Sequence, residues 1–169
     1  MKKLLFATLL SVFSFGITSA QMPTAEVVQA SVERYHKLQA LLQQKPANVG
    51  MSATDNLVSK SVQAANNAVE ISMLIERVAG TSPEANAEAP LTLDEYTVLS
   101  KRVDQENKDI QDLTGMSAAA ANDLKAAKPL DKAKVLKSIN YSKNIMTILT
   151  GEAAYHTQTM AGILASIKK

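Results

Sequence analysis

The chain has 169 residues, 18 basic against 16 acidic, with two His, four Tyr and neither Cys nor Trp. The absence of Cys excludes disulfides, thiolate metal sites and covalent c-type haem through Cys-x-x-Cys-His. Near-balanced charge and few aromatics lack the basic, stacking footprint of a nucleic-acid binder, so no nucleic-acid partner is expected.

Met1–Ala20 reads as a secretory signal peptide. Lys2 and Lys3 form its basic start, Leu4–Ile17 its apolar run, and Thr18-Ser19-Ala20 its small-residue cleavage site. The run is short for a membrane span, so no integral span is expected after processing. Removing it also removes every Phe, and it leaves basic and acidic residues in balance. The expected location is periplasmic or secreted. Residues 21–169 are expected to form one domain, long enough to bury a core by packing alone.

The first predicted helix runs from about Ala25 to Gln44, with Thr24 as N-cap and Glu26 in the positive first turn. Its apolar face is Val28, Val32, Tyr35, Leu38 and Leu42, with Leu41 beside it. Lys45-Pro46 through Gly50 ends it. The second predicted helix is Ser52–Gly80, with Ser52 as the cap and Asp55 answering it. Its apolar positions form two adjoining stripes: Leu57, Ala64, Ala68, Ile71, Ile75 and Val78 on one, Val58, Val62, Ala65, Val69 and Met73 on the other. A narrow strip, Ser59, Gln63, Asn66, Glu70 and Arg77, stays polar. A helix so apolar around its circumference needs neighbours on at least two sides, which places it at the centre of a bundle.

Gly80–Pro90 is a polar loop. Thr92 and Glu95 then spell a capping box for a third helix carrying Tyr96, Leu99, Val103, Ile110 and Leu113. The pairs Arg102/Glu106, Asp104/Lys108 and Lys108/Asp112 mark its solvated face. Thr114-Gly115 predicts a kink or break, with Ser117–Lys128 as a bent continuation or a short separate helix. Leu130, Asp131 and Val135 match a hydrophobic staple opening a fourth helix that runs to about Ile167. Its inward line is Val135, Ile139, Ser142, Met146, Leu149, Ala153, His156, Met160, Ile163, Leu164 and Ile167. Lys125–Lys143 is strongly basic, a solvated face by default and a patch for an acidic partner or anionic headgroups as the functional alternative.

These elements predict an all-α fold, an up-down-up-down antiparallel four-helix bundle, with a fifth short helix after Gly115 as its variant. No Gly-x-Ser-x-Gly occurs, and Glu-x-x-His occurs once, at Glu33–His36, where a di-iron bundle needs two, so neither a catalytic nor a metal site is assigned. The expected function is that of an exported, non-enzymatic bundle acting by protein–protein contact, as an adaptor, inhibitor or immunity-type binding protein. Gly80–Pro90 and the exposed edge of the second helix are the expected contact surfaces. The alternative is a carrier of b-type haem or metal. His156 lies on an inward stripe and would supply one axial ligand, with Met73, or Met51 or Met22, as the other. His36 lies about 120° from the first helix's apolar face and does not suit a bis-His site. Ser138, Ser142, Asn66 and Asn67 would otherwise line a polar groove, and a cavity between the second and fourth helices would suit a small molecule.

Overall fold

The computed structural model describes residues 22–79 and 92–167, and these contain four helices and no strand. They are α1 (Ala25–Leu42), α2 (Ser52–Ala79), α3 (Leu93–Ala126) and α4 (Lys132–Ile167). The predicted signal peptide and the Gly80–Pro90 loop lie outside the described residues. None of the described helices is long and apolar enough to cross a membrane.

Cross-helix bonds fix the directions. Lys60 pairs with Asp109 at 2.8 Å and Arg102 with Glu70 at 2.7 Å, so α2 and α3 are antiparallel. Glu106–His156 and Ser117–Met146 contacts run α4 against α3. Ser31 meets Glu152 while Met22 lies beside Gly162, which runs α1 against α4. The bundle is therefore up-down-up-down, as the hydrophobic periodicity predicts. Its cross-section is a flattened rhombus: α2 and α4 each touch all three other helices, and α1 does not reach α3 among the described residues. The central position expected for α2 is shared with α4.

Burial explains the pattern. Leu57, Ala64, Ala68, Ile71 and Ile75 on α2 are almost fully enclosed, whereas the second stripe ends at Met73, 56% exposed. Small Ala at 64, 65 and 68 lets neighbouring backbones approach closely, and dispersion then replaces side-chain volume. On α1 the buried line passes through Ser31 and Leu38 rather than Val28 and Val32, because α1 turns a polar side toward α4.

Four local expectations change. α1 ends at Leu42, one half-turn early. α3 runs unbroken from Leu93 through Gly115 to Ala126, so neither the break nor the fifth helix forms. Helix propensity of the Ala-rich stretch and burial of Ala120 carry the chain across that Gly. Ser52 lies inside the first turn of α2 and is not its cap. The end is secured instead by Asp55, which accepts from Val49 N and Gly50 N at 2.8 and 3.0 Å, and by Asp123 of α3, which accepts from Thr54 N at 2.7 Å. Leu130 makes no staple with buried Val135, being 90% exposed. The capping box at Thr92 and Glu95 forms as predicted.

Two glycines test this description with opposite signs. A Cβ at Gly115 meets nothing within 4 Å, so Gly115→Ala should stabilise the fold by about 0.5–1 kcal/mol through lower backbone entropy. Gly50 has φ +75°, so Gly50→Ala should destabilise by about 1–2 kcal/mol. Urea denaturation of both variants measures the signs, and loss of stability in Gly115→Ala would restore the break.

Candidate functional site

Every helix contributes a polar side chain to one layer in the middle of the bundle. From α1 come Ser31 and Arg34, from α2 Ser72, from α3 Glu106, and from α4 Glu152 and His156. Ser31, Ser72, Glu106, Glu152 and His156 are all under 5% exposed. The layer separates two apolar clusters. One contains Leu38, Leu57, Ile110, Leu113 and Leu149, and the other Ile71, Ile75, Leu99, Val103 and Met160.

Glu152 is the hub. It accepts from Ser31 Oγ at 2.8 Å, from Ser72 Oγ at 3.3 Å, and from Arg34 Nε in a close ion pair. Arg34 reaches it because position 151 is Gly: a Cβ there would lie 2.9 Å from Arg34 Cδ and 3.1 Å from its Nε. Beside the hub, His156 is held through both ring nitrogens. Nδ1 lies 2.8 Å from Glu106 Oε2 and Nε2 lies 2.9 Å from Ser72 Oγ, with Glu152 Oε2 at 3.6 Å. The Tyr155 ring tilts against the imidazole at 5.7 Å.

Arg34 forms an ion pair with Glu152, and His156 is hydrogen-bonded to Glu106. Burial pushes the Glu106 carboxyl above its ordinary value, a rise opposed by the His156 hydrogen bond and reinforced by Glu152 and Asp109. Its Oε1 is buried without a hydrogen-bond partner, which penalises the ionised form further. Glu76, half-buried on α2, is also raised, chiefly by burial, with His36 lowering it and Glu152 raising it.

The structure separates the residues that the sequence offered as a haem pair. His156 is fully enclosed, Met73 is 56% exposed, and it is Ser72, one residue before Met73, that meets the imidazole. Iron ligation by His156 would require it to give up Glu106 or Ser72. His36 lies on the exposed side of α1. Among the described residues, no group of three His, Cys, Asp or Glu is arranged to hold a metal ion. Glu106, expected on a solvated face beside Arg102, is instead 1% exposed, and Arg102 turns to Glu70. Glu152 was not predicted as a site residue. Its signal was its spacing, on the inward line between Leu149 and His156.

A groove of about 350 Å³ lies between α2 and α3, lined by Gln63, Asn67, Val98, Lys101, Arg102, Gln105 and Asp109. Of the polar-groove residues expected from the sequence, only Asn67 is in its wall. Ser138 and Ser142 are buried on α4, and the Ser142 hydroxyl has no partner.

Comparison with protein-family models, with curated proteins and with solved structures finds no match to this chain. The site's meaning rests on its own geometry. Serine, histidine and carboxylate stand in the order of a nucleophilic relay. Ser72, however, lies within a helix whose amide hydrogens bond carbonyls four residues back, so α2 offers no free N–H beside it to an oxyanion.

Removing the hub leaves Arg34 unpaired and strips Ser31 of its acceptor, while Ser72 keeps only His156. Glu152→Ala should therefore cost about 3–5 kcal/mol in chemical denaturation.

The pH response follows from Glu106. With its folded pKa above the unfolded value near 4.5, the folded state holds the proton more tightly. Its contribution is fullest below 4.5 and declines as pH rises through the raised folded value. Glu152 from α4, Asp109 from α3 and Arg34 from α1 through Glu152 are the charged groups around it, with the His156 imidazole as its hydrogen-bond partner. Glu106→Gln should gain stability relative to the parent as pH rises across that window, and parallel denaturation curves at every pH would contradict this.

Proposed function

We propose that the chain is an exported, non-enzymatic helical bundle that works by binding through its exterior, as an adaptor- or inhibitor-type protein. The observation that supports this reading is the closure of the polar layer. Ser72 is 2% exposed, His156 0% and Glu106 1%, and each is engaged by another member of the layer. A nucleophile in such a setting has no path to substrate, and its hydroxyl already has the alternative acceptor Glu152. The natural use of such a layer is to fix the register of four helices, while recognition falls to the outer faces.

The test is covalent. Incubation with a fluorophosphonate should leave Ser72 unmodified by peptide mass spectrometry. Labelling at Ser72 that disappears in Ser72→Ala would establish an accessible, activated serine and overturn the reading.

A further inference from the structure

The bundle end formed by the α3–α4 turn and the α1–α2 connection separates its charges radially. The carboxylates there are half-buried and folded back: Asp55 onto Val49 N and Gly50 N, Asp123 onto Thr54 N and Oγ1. Lys125, Lys128, Lys132, Lys134 and Lys137 are all exposed around them, with Asp131 reaching Lys134 at 3.9 Å.

At the apex stands Leu130. The turn Lys128-Pro129-Leu130-Asp131 is closed by Asp131 N donating to Lys128 O at 2.9 Å and Lys132 N to the same oxygen at 3.1 Å. Proline at the second position stiffens it. Leu130 is thus held outward, 90% exposed, instead of folding onto Val135. The first turn of α4 also breaks a local rule. It contains Lys132 and Lys134 and no acidic residue, although the positive end of the helix dipole disfavours cations there.

We propose that this end docks on the surface of a bilayer containing anionic phospholipid, with Leu130 entering the headgroup region and the lysines facing phosphates. An exposed turn tipped by Leu130, with Leu136 also 45% exposed among the lysines of α4, suits a soft surface. Flexible ammonium groups suit a diffuse layer of phosphate charge better than one fixed carboxylate. A protein partner would be met by aromatic or Arg anchors, and the described residues of this end expose neither. The assignment rests on the surface-acting reading above and names one of its surfaces.

Leu130→Trp supplies the experiment, because the chain has no other Trp. The processed chain, its N-terminus verified, is mixed with vesicles of phosphatidylcholine alone or with 30% phosphatidylglycerol. The expected result is sedimentation and blue-shifted emission with the anionic vesicles only, both reversed by salt. In the parent chain, Lys128→Gln with Lys132→Gln should weaken binding about 25-fold, at roughly fivefold per lysine. Leu130→Ser should weaken it roughly tenfold. Lys101→Gln with Lys108→Gln, on exposed positions of α3, carries the same charge change and should leave binding intact.

No binding to the anionic vesicles at low salt overturns the proposal. So does equal weakening by the α3 pair, which would mean net charge alone. Binding to polyglutamate as tightly as to vesicles, without a blue shift, overturns it in favour of an acidic protein. Any of these with Ser72 unlabelled removes only the lipid assignment, whereas a labelled Ser72 removes the reading beneath it.

Discussion

The Glu152 carboxylate, fully enclosed at the middle of α4, sets the terms for everything around it. Taking an ion of this kind out of water costs several kcal/mol after relaxation, and only close, well-aligned partners recover that cost. Arg34, Ser31 and Ser72 are such partners, and they come from α1 and α2. Through His156 and Glu106 the chain of bonds continues into α3. A helix advances about 1.5 Å per residue. A slip of one residue along any of the four would therefore break bonds of 2.8–3.3 Å while leaving much apolar contact in place. An apolar core tolerates several registers, and the polar layer tolerates one.

α1 depends on this layer most. Its fully enclosed side chains are Ser31 and Leu38, with Val27, Val28, Leu41 and Leu42 partly buried, and among the described helices it meets α2 and α4. Apolar contact that is mostly partial leaves α1 more dependent on polar bonds than the inner helices are. The attachment is completed by Arg34 lying across Gly151 to Glu152, and by Met22 pressed against Gly162. Two glycines on one face of α4, eleven residues apart, thus serve the same purpose at separate heights. Both admit a piece of the N-terminal region that any side chain would displace.

The fold was legible in the sequence because its signals are cumulative. Many apolar residues at helical spacing, a capping box at Thr92 and turn residues around Pro46 and Pro129 agree with one another, so an error at one position changes little. Gly115 shows the limit. A lone Gly weighs on propensity by about 1 kcal/mol, and tertiary burial of Leu113 and Ala120 on either side outweighs it. The site was less legible. His156 was recognisable on its stripe, but Glu106 has an Arg four residues before it, and that spacing is also the signature of a surface ion pair. Which face of α3 is wet depends on where α2 and α4 lie, and periodicity in α3 alone does not carry that. Ser31 and Arg34 were hidden for the same reason. Only a partner on α4 makes the polar side of α1 its inner side.

The structure breaks local rules in two places, and the two differ in kind. In the layer, ionisable groups are buried at a cost, but hydrogen bonds and opposite charges around them supply compensation within the same molecule. At the start of α4, Lys132 and Lys134 oppose the helix dipole, with only Asp131 at 3.9 Å from Lys134 to offset them. The exposed Leu130 beside them likewise gains nothing from the fold, because the closed turn holds it away from Val135. Rule-breaking that the fold itself repays is accounted for by folding. Rule-breaking left unrepaid, with exposed lysines beside an exposed Leu130, is where the fold gives no compensation, and it is there that the proposed lipid contact would supply one.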